Sequence, residues 1–175
     1  MPCHHIEHHT CGLKCTLKYD ELDLVMQSLD WNVWIHHPDH SNWDMVDFIK
    51  LTTITSASEF WGVFNNIHNI PDTLFLMRDS VDPIWEHPKN RNGGTYITFI
   101  GTSVDAMNQI IGLCELAVCD SLFQSESDNE KVTGLSIVRK HNSYAIKVWM
   151  SQEIRDARFH PDTNILNPSF RKHAH

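Results

Sequence analysis

The 175-residue sequence predicts an α+β domain. Stretches that alternate apolar and polar residues outnumber those with a helical period, and most neighbouring strands lie close enough in sequence to be joined antiparallel. No internal repeat or low-complexity linker divides the chain. A chain of this length suits one domain, expected over residues 21–175, behind a flexible His/Cys-rich tail over residues 1–20.

Leu29 to His36 alternates and places Leu29, Trp31, Val33 and Ile35 on one face of a strand. A polar turn from His37 to Asn42 leads to Trp43, and Val46 to Ile54 reads as a second strand. Ser56 with Glu59 three residues later is a capping box. It opens a helix carrying Phe60, Trp61, Phe64 and Ile67, and Pro71 ends that segment. Leu74 to Met77 is a short buried strand. The polar stretch Arg78 to Gly94, with its prolines and Gly93-Gly94, is a loop whose one large apolar residue after Ile84 is Trp85.

Thr95 to Ile100, β-branched and aromatic, is a strand. Asp105 to Phe123 is the longest helix, with Met107, Ile110, Ile111, Cys114 and Val118 at helical spacing. Gln124 to Lys131 is acidic and turn-rich. Val132 to Arg139 and Tyr144 to Met150 form a hairpin around His141, Asn142 and Ser143. A short helix is expected around Glu153 to Phe159, then a tail in which His173 and His175 are read as solvated.

Composition narrows the function classes. With 22 acidic and 14 basic residues the formal net charge is -8. A protein that holds long nucleic acid by its backbone is basic, so a general RNA coat is excluded. What remains is a grip on a small part of a nucleic acid through a few local cations, or none. No apolar run approaches the ~18 residues of a membrane helix, and the N-terminus lacks the basic-then-apolar order of a signal peptide. Reduced thiols in the cytoplasm, with a nuclear pool, are the expectation. Cys11 and Cys15 have a loose zinc-ligand spacing, but no second pair follows, so the tail is read as metal-philic without a structural zinc. No H-E-x-x-H or comparable spacing occurs; neither an enzyme, a cofactor nor a metal site is expected.

Two groups of residues carry candidate chemistry. Trp43 and the Trp85-Glu86 pair stand on polar loops beside charges. Such tryptophans either fold back onto the domain or await a partner. In the second case, two parallel indoles suit a delocalised cation such as guanine methylated at N7, and a neighbouring carboxylate suits the base's N–H donors. The other group is Arg139-Lys140-His141, the densest positive patch within the fold, with Lys89 and Arg91 as a second pair. It reads either as a solvated face or as a seat for phosphates.

The run Phe60-Trp61-Gly62-Val63-Phe64-Asn65-Asn66-Ile67 and the run Pro83-Ile84-Trp85-Glu86-His87-Pro88-Lys89-Asn90-Arg91-Asn92-Gly93-Gly94 resemble the eukaryotic translation initiation factor 4E family. Trp31 and Trp34 match its paired strand tryptophans and Trp149 its last characteristic one. The resemblance covers roughly residues 25 to 150, and its motifs agree in order and spacing.

It implies a curved antiparallel sheet backed by about three helices, with the mRNA cap held on the concave side. Trp43 and Trp85 would stack on the base, Glu86 would accept from the guanine edge, and Trp149 would contact the methyl group. Ungapped counting from Trp85 to Trp149 places Lys140 at the family's phosphate-binding arginine; a one-residue slip would place Arg139 there. On the convex side Trp61, with Glu115 and Val118, would receive a helical peptide from a scaffold or repressor protein.

The implied partners are therefore capped mRNA and such a protein, with no DNA and no membrane. The implied role is translation initiation through a scaffold; the alternative is a repressor or sequestering module that recruits no ribosomes. Departures are also visible. The family's basic residue four before its last tryptophan is Ala145 here, its arginine and tryptophan after the double glycine are Thr95 and Tyr96, and its His-Pro pair at the peptide site is Val25-Met26. The region after Trp149 is shorter than usual, and His173-Ala174 echoes a family loop motif near the cap.

Overall fold

The computed structural model of the chain describes residues 30–37, 39–67 and 72–173. Cys3, Cys11, Cys15 and the N-terminal histidines lie outside the described residues, as do Val25, Met26, Leu29, Pro71 and His175.

Seven strands build one curved sheet. They are β1 (Trp31–His36), β2 (Phe48–Ile54), β3 (Thr73–Arg78), β4 (Gly94–Gly101), β5 (Val132–Arg139), β6 (Ser143–Met150) and β7 (Ser169–Lys172), in the order β2-β1-β3-β5-β6-β4-β7. Every neighbouring pair runs antiparallel. The helices are α1 (Ala57–Phe64), α2 (Ala106–Val118) and the short α3 (Glu126–Asn129). The class expected from the sequence is the class observed.

The two-residue period of the strands sorts their side chains between two environments. Trp31, Val33, Leu74, Leu76, Leu135, Ile137, Ile146 and Val148 face the helices and join Phe60 and Phe64 of α1 and Ile110 and Leu113 of α2 in the main core. Each such large side chain contributes roughly 1.5–3 kcal/mol by leaving water. The alternate residues Phe75, Met77 and Trp149 form a smaller cluster on the helix-free face with Phe48 of β2, Trp34, and the loop residues Met45, Val81 and Ile84. It is this second cluster that underlies the candidate site.

Local chemistry explains the boundaries. At the start of α1, Ser56 accepts from the Glu59 N–H at 3.2 Å, while the Glu59 carboxylate accepts from the Thr55 N–H at 2.7 Å and the Thr55 hydroxyl at 2.9 Å. These bonds hold the Glu59 carboxyl below the usual carboxylate range. The expected long helix stops at Val118, five residues early, because Asp120 adopts a left-handed backbone with φ 52° and turns the chain. Asp120 then pairs with Arg78, whose guanidinium also donates to the carbonyls of Val132 and Asn129.

The helix expected around Glu153 to Phe159 does not form. Tertiary bonds hold that segment in an irregular, bent course: the Tyr96 hydroxyl donates to the Ile154 carbonyl at 2.7 Å and accepts from the Ala157 N–H at 3.1 Å, and Phe159 bridges Phe123. A further difference is β7, which the sequence presents as tail. Its four residues pair along β4, with Thr95 opposite Arg171 and Gly94 opposite Lys172. Gly94 makes room for this edge, and Gly93 for the end of β6 on the other side of β4. A Cβ on Gly93 would stand 1.7 Å from the Met150 carbonyl oxygen, and one on Gly94 would stand 2.7 Å from that of Arg171.

Candidate functional site

Trp43 follows β1 on a loop and is 55% exposed. His36, the last residue of β1, stacks on it at 4.2 Å between ring centroids, with 24° between the planes. The His36 ring is itself fixed, because Nε2–H donates to the Asn42 carbonyl at 2.6 Å. The loop is tied down by the buried Asp47, whose carboxylate accepts from His40 at 2.5 Å and from the Asp44 N–H at 3.3 Å.

Trp85 stands on the loop between β3 and β4 and is 42% exposed. Fully buried Asn90 shapes that loop from within: its amide donates to the carbonyls of Asp82 at 3.0 Å and Ile84 at 2.8 Å. His173, just beyond β7, is buried behind Trp85, parallel to it within 9° and 5.7 Å away. The Asn90 carbonyl can only accept, so His173 Nδ1 carries the proton in their 2.7 Å bond. Nε2 then accepts from the Thr95 hydroxyl at 2.6 Å. The reading of His173 as solvated is therefore corrected: the β7 pairing carries it into the site. Glu86, next to Trp85, is exposed.

The two exposed tryptophans end one chain of aromatic rings. From Trp43 it passes to Phe48 (6.1 Å), Phe75 (5.3 Å), Trp149 (6.2 Å) and His173 (5.3 Å), and reaches Trp85 at 5.7 Å. Its middle members are buried and its ends are exposed. Trp149 is 3% exposed, and its indole N–H donates to the Ser136 hydroxyl at 3.0 Å. Its ring offers almost no surface to a ligand, which limits the methyl contact expected of it.

Cations gather on the same face. In β5, Leu135 and Ile137 point to the helices, so alternation sends Arg139 that way, whereas Lys140 continues the row of Ser136 and Val138. Both Arg139 and Lys140 are exposed. Lys147 of β6 shares the face of Trp149, and Arg171 of β7 shares that of Thr95. Burial, then repulsion from Lys140 and Arg171, pushes the Lys147 ammonium below the usual lysine range. Lys147, Arg171, Trp85 and His173 line a concavity of about 270 Å³. The sequence reading missed Lys147, Arg171, His36 and Asn90. Only Lys147 carried a visible signal, two residues before Trp149 on an alternating strand.

On the helical side Trp61 is half-buried and meets Phe60 edge-on at 5.2 Å. Glu115 of α2 is also half-buried. Val118 is fully buried and belongs to the core, so it presents no surface to a peptide. It lies one turn beyond buried Cys114, whereas Glu115 lies one turn beyond half-buried Ile111.

A family model described as eukaryotic initiation factor 4E matches residues 27–165. Eukaryotic translation initiation factor 4E of Dictyostelium discoideum is 25% identical over 131 residues, covering 68% of this chain and 49% of its own length. Its counterpart in Candida albicans is 29% identical over 134 residues, covering 68% and 61%. The chain thus spans about half to three fifths of these relatives' lengths. Among solved structures, a schistosome eIF4E complexed with m7GpppG and 4E-BP superposes with a TM-score of 0.61 at 18% identity, covering 71% of this chain and 72% of that one. The C. elegans eIF4E-3 in complex with the 4E-binding protein Mextli gives 0.60 at 14% identity, covering 74% and 77%. The family is one of initiation factors, not of enzymes. This chain belongs to the eukaryotic initiation factor 4E family.

Proposed function

We propose that the chain binds the 7-methylguanosine cap of mRNA on the helix-free face of the sheet. The carrying observation is the ring chain, whose exposed ends are Trp43 and Trp85 and whose buried middle holds them over a common floor. A cationic base stacks on each indole for ~1–3 kcal/mol. Glu86, exposed beside Trp85, accepts from the guanine N–H donors. Trp149 serves chiefly as floor. Lys140, which continues the row of Ser136 and Val138 on this face, receives the phosphates in preference to Arg139, which alternation sends toward the helices. The schistosome relative's complex with m7GpppG supports this reading.

The opposite side takes the second partner. Trp61 and Glu115 receive a helical peptide, in keeping with the 4E-BP and Mextli complexes of the structural neighbours. A scaffold protein docked there links the cap to translation initiation in the cytoplasm; a repressor docked there instead sequesters it.

The deciding experiment follows intrinsic fluorescence while 7-methylguanosine triphosphate or GTP is added to the wild type and to Trp85→Ala. Quenching that needs both the methyl group and Trp85 is the expected result. Equal response to the two nucleotides would sink the reading.

A further inference from the structure

Lys147 is the one partly buried member of a three-cation group. Lys140 and Arg171 both act on it as like charges. None of the three forms an ion pair among the described residues, in contrast to Lys172, which meets Glu153 at 2.9 Å. A protein with net charge -8 has ample carboxylates, yet among the described residues none pairs with this group. A partly desolvated ammonium beside two like charges and without a counter-charge is costly, and an arriving anion removes that cost.

Strand register fixes where such an anion would lie. Arg171 is opposite Thr95 across one edge of β4, and Lys147 is opposite Ile97 across the other. Thr95 and Ile97 are on the same face, so the two cations flank β4 two strand spacings apart and offset by two residues along it, roughly 12 Å between their backbones. Their concavity opens beside Trp85. That separation exceeds a single phosphate and suits a chain of them.

We infer that Lys147 and Arg171 are phosphate-binding residues that grip the polyphosphate chain attached to the base stacked on Trp85, with Lys140 as the third cation. Thr95 and Ala145, both buried and uncharged, contribute no charge of their own on this face, and the neighbouring strands supply it. The inference rests on the cap-binding reading for the identity of the base alone.

The test compares affinities for 7-methylguanosine and its triphosphate, at one salt concentration, in the wild type and in Lys147→Gln/Arg171→Gln. The triphosphate-to-nucleoside affinity ratio should fall on the order of tenfold per cation removed. An unchanged ratio overturns the assignment. Arg171→Gln alone, on the edge strand, gives the same comparison if the double variant does not fold. If the wild type has no methyl preference, so that the cap reading itself fails, inorganic tripolyphosphate is the probe. Binding by the wild type that is lost in the variant still supports the cation group, and no binding by either overturns it.

Discussion

His173 and Trp85 lie parallel within 9° at 5.7 Å, although 88 residues separate them in the chain. The histidine is held at both nitrogens, by the Asn90 carbonyl and the Thr95 hydroxyl, so it acts as a fixed backing for an indole that is otherwise exposed. His173→Ala should therefore leave Trp85 in place in the sequence but loose on its loop. We expect cap-analogue affinity to fall about tenfold, a change of roughly 1.4 kcal/mol. Fluorescence titration measures it. Affinity equal to wild type would show that the loop alone orients Trp85.

Asn90→Ala tests that loop. The substitution strips the carbonyls of Asp82 and Ile84 of their donor in a site that is 0% exposed. Unsatisfied buried acceptors cost about 1–3 kcal/mol each, so urea unfolding should show a loss in that range or above. A loss of under half a kcal/mol would mean that the loop relaxes onto water.

What the sequence could disclose follows from range. Alternation in β1, β5 and β6 and the capping signal at Ser56 act within a few residues, and these elements appear where the pattern puts them. The loop tryptophans were legible because Trp43 and Trp85 sit among polar neighbours. β7 and His173 were not, since four residues of ordinary polarity become a strand only through pairing with β4, more than seventy residues earlier. The failed helix near Glu153 has the same cause: the Tyr96 hydroxyl outbids local propensity. Val118 carried the correct period, but periodicity does not say which side of a helix is covered.

Gly93→Ala should be among the most damaging single-methyl additions. Its Cβ would fall 1.7 Å from a backbone oxygen of Met150, which cannot rotate away. Separating β4 from β6 by the needed distance should cost about 1–3 kcal/mol or more, read as a drop in melting temperature. A variant as stable as wild type would mean that the strand end is free to shift.

Alkaline pH should act on Lys147. Its folded pKa lies below the ordinary lysine value, so the folded state binds fewer protons than the unfolded chain as pH climbs toward 10.5. Its contribution is thus a penalty at neutral pH, relieved as pH rises through the lowered folded value. Phosphate affinity should move the opposite way, falling over the same rise as the ammonium is lost. At alkaline pH, where the lowered Lys147 ammonium is partly deprotonated, a bound polyphosphate should also draw a proton onto it, seen by calorimetry in two buffers of different ionisation enthalpy. Lys147→Gln should abolish that uptake; uptake persisting in the variant would place it elsewhere.

The helical side yields a prediction that separates surface from core. Trp61 is half-buried and Val118 is fully buried, though both match positions that the family uses toward peptides. Truncating an aromatic anchor at the centre of a groove typically costs 2 kcal/mol or more in binding, roughly thirtyfold. Trp61→Ala should therefore weaken a helical scaffold peptide by at least that factor while methyl-dependent quenching by the cap analogue persists on the far face. Val118→Ala removes two methyl groups from the core and should cost about 1–3 kcal/mol of folding stability, with peptide affinity changed by less than about twofold. Peptide binding that depended on Val118 as strongly as on Trp61 would require α2 to turn or open when the partner docks.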